Sequence, residues 1–206
     1  MIQLWMLGLA LLAWLPTCES YLKAVEGYAV DSYFKEEVYR AHTWQTFGQL
    51  PEPNQAMSET QPDLHLLNAA LFFATNELRH RYKKPEFRYS ATLRDAAVLH
   101  THEMVSRHFF SHTNSRNRKW DKPDSRIRQC GPLPRALAEN IDYQYLEEGD
   151  TYLSFARKVV QHLYDSPPHR KNMLGSYTHL GTCSMMEAKD RQGYRYLKST
   201  QDFATY

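Results

Sequence analysis

Apolar positions recur at helical spacing in three stretches of the chain. Leu64, Leu67, Leu71, Ala74 and Leu78 fall on one helix face, and Asp63, just after Pro62, is placed to accept from the free amides of a first turn. Ser90 opens a second helical pattern along Leu93, Ala97, His100 and Met104, which ends before the aromatic pair Phe109 and Phe110. Tyr152, Phe155, Val159 and Leu163 mark a third. The runs Arg135 to Tyr145, His179 to Glu187 and Tyr194 to Ala204 read as strands. The last two flank Asp190 and Gly193, residues suited to a hairpin turn. Long helices beside a small, mostly antiparallel sheet predict an α+β domain.

Two stretches stand apart from this pattern. Residues 21 to 62 are rich in tyrosine, broken by Pro51, Pro53 and Pro62, and polar from Asn54 to Gln61. They read as an arm or linker with one short helix around Lys35 to Phe47. Further upstream, Ile2 to Leu15 is almost unbroken apolar sequence, and the first charged side chain is Glu19. Its apolar residues cover every helix face, so it is no amphipathic surface helix. It is also shorter than the about 20 residues that span a bilayer. Residues 1 to 20 therefore read as a secretory signal peptide, and the protein as exported.

Two processing routes stay open. Leu15-Pro16-Thr17-Cys18 resembles a lipoprotein signal, in which Cys18 would be acylated and tether the protein to the envelope. Ordinary cleavage after Ser20 is the other. Either leaves Cys130 and Cys183 as a pair in an oxidising compartment, joined as a disulfide or held as two buried thiols.

Composition narrows the class without naming a function. The 206 residues are 42% hydrophobic, enough for one domain with an appendage. Lys and Arg number 25 against 23 Asp and Glu, a net charge of +2 with no block of like charge, so nothing favours nucleic acid. Disordered, collagen-like, coiled-coil and multi-span membrane architectures are excluded.

Ten histidines raise the question of a metal. His102-Glu103 begins an HExxH motif, but Ser106 stands where the second histidine belongs. His100, on the apolar face of its helix, reads as a core residue satisfied by a hydrogen bond. His102 and His108 read as solvent-facing, and His42, His65, His80 and His162 have no motif around them. His179, at a strand start, is a weak candidate.

Three segments in order, Phe109-Phe110-Ser111-His112-Thr113, Ala138-Glu139-Asn140-Ile141 and Ser166-Pro167-Pro168-His169-Arg170-Lys171-Asn172-Met173-Leu174, resemble the bacterial branch of the CAP superfamily. This is the SCP domain of cysteine-rich secretory proteins, antigen 5 and plant pathogenesis-related proteins. Thr75 to Arg79, Ala96 to His100, Leu180-Gly181 and Thr200 to Phe203 extend the likeness over roughly residues 63 to 206. The resemblance implies an α-β-α sandwich with a cleft where histidines and glutamates meet. The family's two histidines match His112 and His169, and its first glutamate matches Glu139. A second glutamate of eukaryotic members falls on Ser166. Ser111, Asn140, Asp165 and Ser166 would line the cleft. Departures stand at Ala138 and Pro168, where the family has glycine, at Leu163 for tryptophan and at Asp165 for asparagine.

Two neutral imidazoles bind Zn²⁺ through nitrogen at about 2.0 to 2.1 Å, and a nearby acid, here Glu139, can orient a metal-bound water or supply a third ligand. Two histidines alone make an open, weakly held and exchangeable site for Zn²⁺ or another divalent metal. The resemblance thus implies an exported binding module with a metal and a lipid or peptide in its cleft. The alternative is a hydrolase acting through His112, Glu139 and His169, by a metal-bound water or a serine. Ser111 suits that role poorly, because adjacent strand residues point to opposite faces, and no GxSxG motif is present. Pro167 suits the first position of a helix with Ser166 as its N-cap, which gives Ser166 a structural task.

Overall fold

The computed structural model describes residues 17–25, 27–28 and 31–206. The apolar run of the expected signal peptide lies outside them. Eight α-helices are described: α1 (Cys18–Leu22), α2 (Val38–Ala41), α3 (Trp44–Phe47), α4 (Leu64–Arg81), α5 (Ala91–Ser106), α6 (Pro123–Cys130), α7 (Tyr152–Asp165) and α8 (Pro167–Met173). Four strands accompany them: β1 (Arg88–Tyr89), β2 (Ala136–Tyr145), β3 (His179–Met186) and β4 (Tyr196–Thr205). Among the described residues no helix is long and apolar enough to cross a membrane.

The three expected long helices form where their caps direct them. Asp63 accepts from Leu66 N, Ser90 from Leu93 N, and Thr151 and Ser154 form a reciprocal capping box at the start of α7. The sheet runs β1-β3-β4-β2, antiparallel except for the short parallel pair β1/β3, so it is mixed. β3 and β4 meet at a turn in which Gly193 takes φ +89° and donates to Asp190 O.

Side-chain alternation along the strands divides the sheet between two helical layers. Thr182 Oγ1 donates to Asn68 O and Gln201 Nε2 to Thr75 Oγ1, both on α4. Thr101 Oγ1 on α5 donates to Thr200 Oγ1, and Lys198 Nζ donates to Met104 O. One layer is therefore α4 with α7 and α8, and the other is α5 with α6 and α1, which makes an α-β-α sandwich. Gly181 permits the second layer to close, because a Cβ there would sit 2.0 Å from Arg94 N and 2.2 Å from the Leu93 carbonyl carbon.

Several local expectations change. The short helix around Lys35 to Phe47 is three pieces, a 3-10 turn at Tyr33–Lys35 followed by α2 and α3, and Thr43 starts α3 with its own capping box. The segment is no loose spacer, because Val38, Phe47 and Met57 are buried in the same apolar cluster as α4 and α7. α6 and β1 carry too little periodic pattern to be read from sequence.

The cysteine pairing is a correction. Cys18 is bonded to Cys130, with their Cα atoms 5.1 Å apart, and Cys183 is a free, fully buried thiol that burial pushes up to about 12. Cys183 points from β3 into the α5 layer, in a cluster with Ala97, Val98 and Leu99, whereas Cys130 ends α6 against α1. A sulfur held in a disulfide is not free to carry an acyl chain, so this pairing does not fit the lipoprotein route left open for Cys18. Cleavage after Ser20 would fall inside α1 and remove half of the bond.

Candidate functional site

Glu139 lies on β2, the outer strand of the sheet, and points toward the α5/α6 layer. Its carboxylate is buried and both oxygens are engaged: Oε1 accepts from His112 Nδ1 at 2.8 Å and Oε2 from Arg126 Nη2 at 2.6 Å. Arg126 is fully buried and also donates to His112 O, Trp120 O and Asp121 O, at 3.1, 3.2 and 3.1 Å. One guanidinium thus fixes both the acid and the loop that carries the histidine. Burial pushes the Glu139 carboxyl up, but Arg126, His112 and His100 together hold it below the usual carboxylate range. An ionised carboxylate only accepts, so Nδ1 of His112 carries the proton. Nε2 is the ring nitrogen not engaged by Glu139, on a side chain that is 49% exposed.

His100 belongs to this cluster rather than to an ordinary core. It is fully buried, with Nε2 3.8 Å from Glu139 Oε1, and burial lowers its pKa to about 4, which leaves it neutral. Asp202 is the cross-strand partner of Glu139 and is also fully buried. Burial, reinforced by the charge of Glu139, holds its carboxyl well above the ordinary range. Arg126 is the guanidinium that pairs with the buried Glu139 carboxylate. Sequence reading assigned no role to Arg126 or Asp202; α6 lacked a visible pattern, and Asp202 meets Glu139 only through strand register.

The opposite face of β2 positions His169. Asn140, fully buried, donates through Nδ2 to His169 O at 3.2 Å and to Gln201 Oε1 at 3.1 Å, and accepts from Asn172 Nδ2 at 2.8 Å. Gln201 continues the chain to Thr75, which donates to Leu71 O at 2.7 Å. Asn140 thus ties α8 to β2. The His169 imidazole is held below the usual histidine range first by burial and then by the His112 and His162 imidazoles.

The other expected lining residues do little here. Ser111 is exposed, and its Oγ accepts from Thr113 N at 3.2 Å rather than meeting an imidazole. Asp165 is exposed and accepts from Gln161 Nε2 at 2.9 Å on its own helix. Ser166 sits at the N-cap of α8 before Pro167, as expected, although its side chain makes no capping bond. His179 lies at the start of β3, with Nδ1 2.9 Å from Thr178 Oγ1. His102, expected in solvent, is half-buried with Nδ1 2.7 Å from Tyr21 OH.

The cysteine-rich secretory protein family, CAP, has a family model that matches residues 72–202, more than half of the 206-residue chain. The chain belongs to the CAP family. Among solved structures, its CAP fold is similar to an extracellular protein containing an SCP domain from Bacillus anthracis, with a TM-score of 0.53 and 23% identity. That match covers 70% of this chain and 42% of the other, so this chain spans under half of its length. A second likeness is to an outer surface protein from Borrelia burgdorferi, with a TM-score of 0.50, 15% identity, and 66% and 90% of the two chains covered. No curated protein matches the chain.

Among the described residues of this CAP domain, no three His, Cys, Asp or Glu side chains are already grouped to hold an ion. Glu139 is unsuited to direct ligation because Arg126 and His112 occupy both of its oxygens. It does have the form of a carboxylate behind a metal-binding imidazole, since it fixes the ring and its tautomer. The ring nitrogens not engaged by Glu139 are His112 Nε2 and those of the half-buried His169 imidazole.

Proposed function

We propose that this CAP domain is an exported binding module whose cleft, at the outer edge of β2, takes a divalent metal such as Zn²⁺ on His112 and His169. A lipid or peptide ligand would then occupy the position the ion leaves open. The observation that carries the reading is the His112–Glu139–Arg126 chain. A buried, charge-compensated carboxylate fixes an exposed imidazole with its lone pair outward, which a purely structural histidine would not need. Export is supported by the apolar run before Pro16 and by the Cys18–Cys130 bond, which suits an oxidising compartment. Exposed Phe110 and Tyr143, their ring centroids 5.8 Å apart, lie on the His112 side of β2 and offer an apolar surface to a ligand.

Calorimetric titration of Zn²⁺ tests the proposal. His112→Ala or His169→Ala should abolish binding, while Glu139→Ala should weaken it about 10 to 100-fold, the usual cost of losing a carboxylate behind a ligand. Protons compete for neutral imidazole, so affinity should fall as pH drops through about 6.5. Affinity independent of pH, or full binding by His169→Ala, would refute the site.

A further inference from the structure

Arg79, on the last turn of α4, is a buried cation without an anion. It is 3% exposed. Its Nε donates to Pro85 O at 2.6 Å, and its Nη1 donates to Met173 O and Gly175 O at 2.8 and 3.0 Å. The guanidinium carbon lies 3.8 Å from the centre of the Phe87 ring. Three of its five N–H donors are thus spent on neutral carbonyls, and among the described residues no carboxylate pairs with it. Burial moves its pKa down to about 10, so it stays charged at neutral pH. Buried charges are ordinarily paired, because an unpaired one costs far more than a neutral polar group. The two N–H groups of Nη2 remain for an acceptor from outside the chain.

That acceptor has a place to sit. Arg79 lines a cavity of about 650 Å³ at the β1 edge, across the sheet from β2, and small-molecule sites measure roughly 300 to 1,000 Å³. Pro85 follows α4 and Gly175 follows α8, so the carbonyls that hold Nε and Nη1 belong to the two loops flanking the cavity. Nη2 is the nitrogen left toward the opening. Lys84 and Arg88 line the same cavity, exposed and without an ion-pair partner among the described residues. Arg88 is the Cα partner of His179 in the parallel β1/β3 pair, which sets both side chains on one face. His179, with Nδ1 2.9 Å from Thr178 Oγ1, is held below the usual histidine range by burial and by Arg88, and so adds a neutral imidazole. Glu86 is the one acidic side chain of the lining, against three cations, and Leu174 and Tyr177 form an apolar wall.

We propose that this cavity binds a small organic oxyanion, a carboxylate or phosphate monoester carried on an apolar body. Arg79 Nη2 donates to the oxyanion, Arg88 and Lys84 meet it from the rim, and the body lies against Tyr177 and Leu174. Guanidinium hydrogen bonds to carboxylate or phosphate are charge-assisted. A guanidinium already fixed by three carbonyls makes them without losing rotamer freedom. The site is separate from the His112 and His169 cleft and does not depend on the metal reading. It gives His179 a place as a neutral hydrogen-bonding group instead of a metal ligand.

The competing role for Arg79 is a clamp on the two loops and nothing more. Calorimetric titration of the oxidised full chain with phenyl phosphate, benzoate and inorganic phosphate separates the two. The variants are Lys84→Gln, Arg88→Gln, Arg79→Lys and, in the opposite layer, Lys122→Gln. Phenyl phosphate or benzoate should bind at least about 10-fold tighter than inorganic phosphate, through burial of the ring, and the preference between them tells a phosphate ligand from a carboxylate. Lys84→Gln and Arg88→Gln should each weaken binding about 3 to 10-fold at low salt and less at high salt, as partly screened cations do. Arg79→Lys should weaken it at least about 10-fold, because an ammonium cannot supply the Nη2 donors. Lys122→Gln should bind as the wild type does. If Arg79→Lys does not fold, the two rim variants decide, since their side chains hold no other residue. Uptake of neither aromatic anion at millimolar concentration, equal affinity for inorganic phosphate, or rim variants that bind as tightly as wild type at low salt would overturn the proposal and leave Arg79 a clamp.

Discussion

The Cys18–Cys130 bond offers the sharpest test of how the N-terminal segment is held. It closes a loop of 112 residues, and the entropy that such a cross-link removes from the unfolded chain corresponds to about 5 kcal/mol at 25 °C. That figure is an upper bound, since unfolded chains retain some compactness. Packing acts in the same direction: Cys18, Leu22, Val25 and Tyr28 are buried against Ala97, Val98, Leu99 and Trp120, but α1 spans only five residues and cannot hold its position by helix propensity. We expect Cys130→Ala to cost about 3 to 5 kcal/mol, which lowers Tm by about 6 to 20 °C for a domain of this size. Guanidinium unfolding followed by tryptophan fluorescence, with and without reductant, measures it. Reduced wild type should unfold at the midpoint of the variant, whose own midpoint should ignore reductant. Thiol titration gives an independent reading, one reactive thiol in the unfolded, unreduced chain, from Cys183, and essentially none in the native protein. Three thiols under those conditions, or a wild-type midpoint unmoved by reductant, would refute the reasoning.

Arg126→Met should destabilise the fold by about 3 to 5 kcal/mol, because it leaves the buried Glu139 charge without its guanidinium partner; chemical denaturation would expose the error if the loss were under about 1 kcal/mol. Gly181→Ala should cost at least about 1 to 3 kcal/mol, since its Cβ would meet α5 backbone 2.0 Å away; a neutral effect in a thermal melt would mean that α5 yields without strain. His100 gives stability a pH dependence of definite sign. Its folded pKa is about 4 against 6.5 unfolded, so between those values the unfolded chain binds more protons and stability falls as pH falls. The loss approaches about 3 kcal/mol, at about 1.36 kcal/mol per unit. Melts across that window should show a slope that His100→Gln flattens, and a slope shared by both proteins would remove His100 as its source.

Local pattern sufficed for α4, α5 and α7, because apolar spacing and the caps Asp63 and Ser90 act within a few residues of each other. It sufficed for β2, β3, β4 and the Asp190–Gly193 turn for the same reason. The short α6 has little apolar periodicity to announce it, and the cation that compensates Glu139 was hidden with it. His112, Glu139 and His169 were legible as motif positions, and the structure places them at the β2 edge. What they do there depends on partners far away in sequence. Arg126 occupies an oxygen that sequence reading left open to a metal, and His100 joins the acid from a helix face that read as plain core. Cys18 reaches Cys130 only because α1 folds back onto α5 and α6, and Cys183 is left unpaired because strand alternation turns it inward. Signals a few residues long are enough to say which segments become helices and strands. Which charges and sulfurs meet was settled by the fold, because a buried ion pair or disulfide is set by burial and distance between residues that the chain keeps far apart.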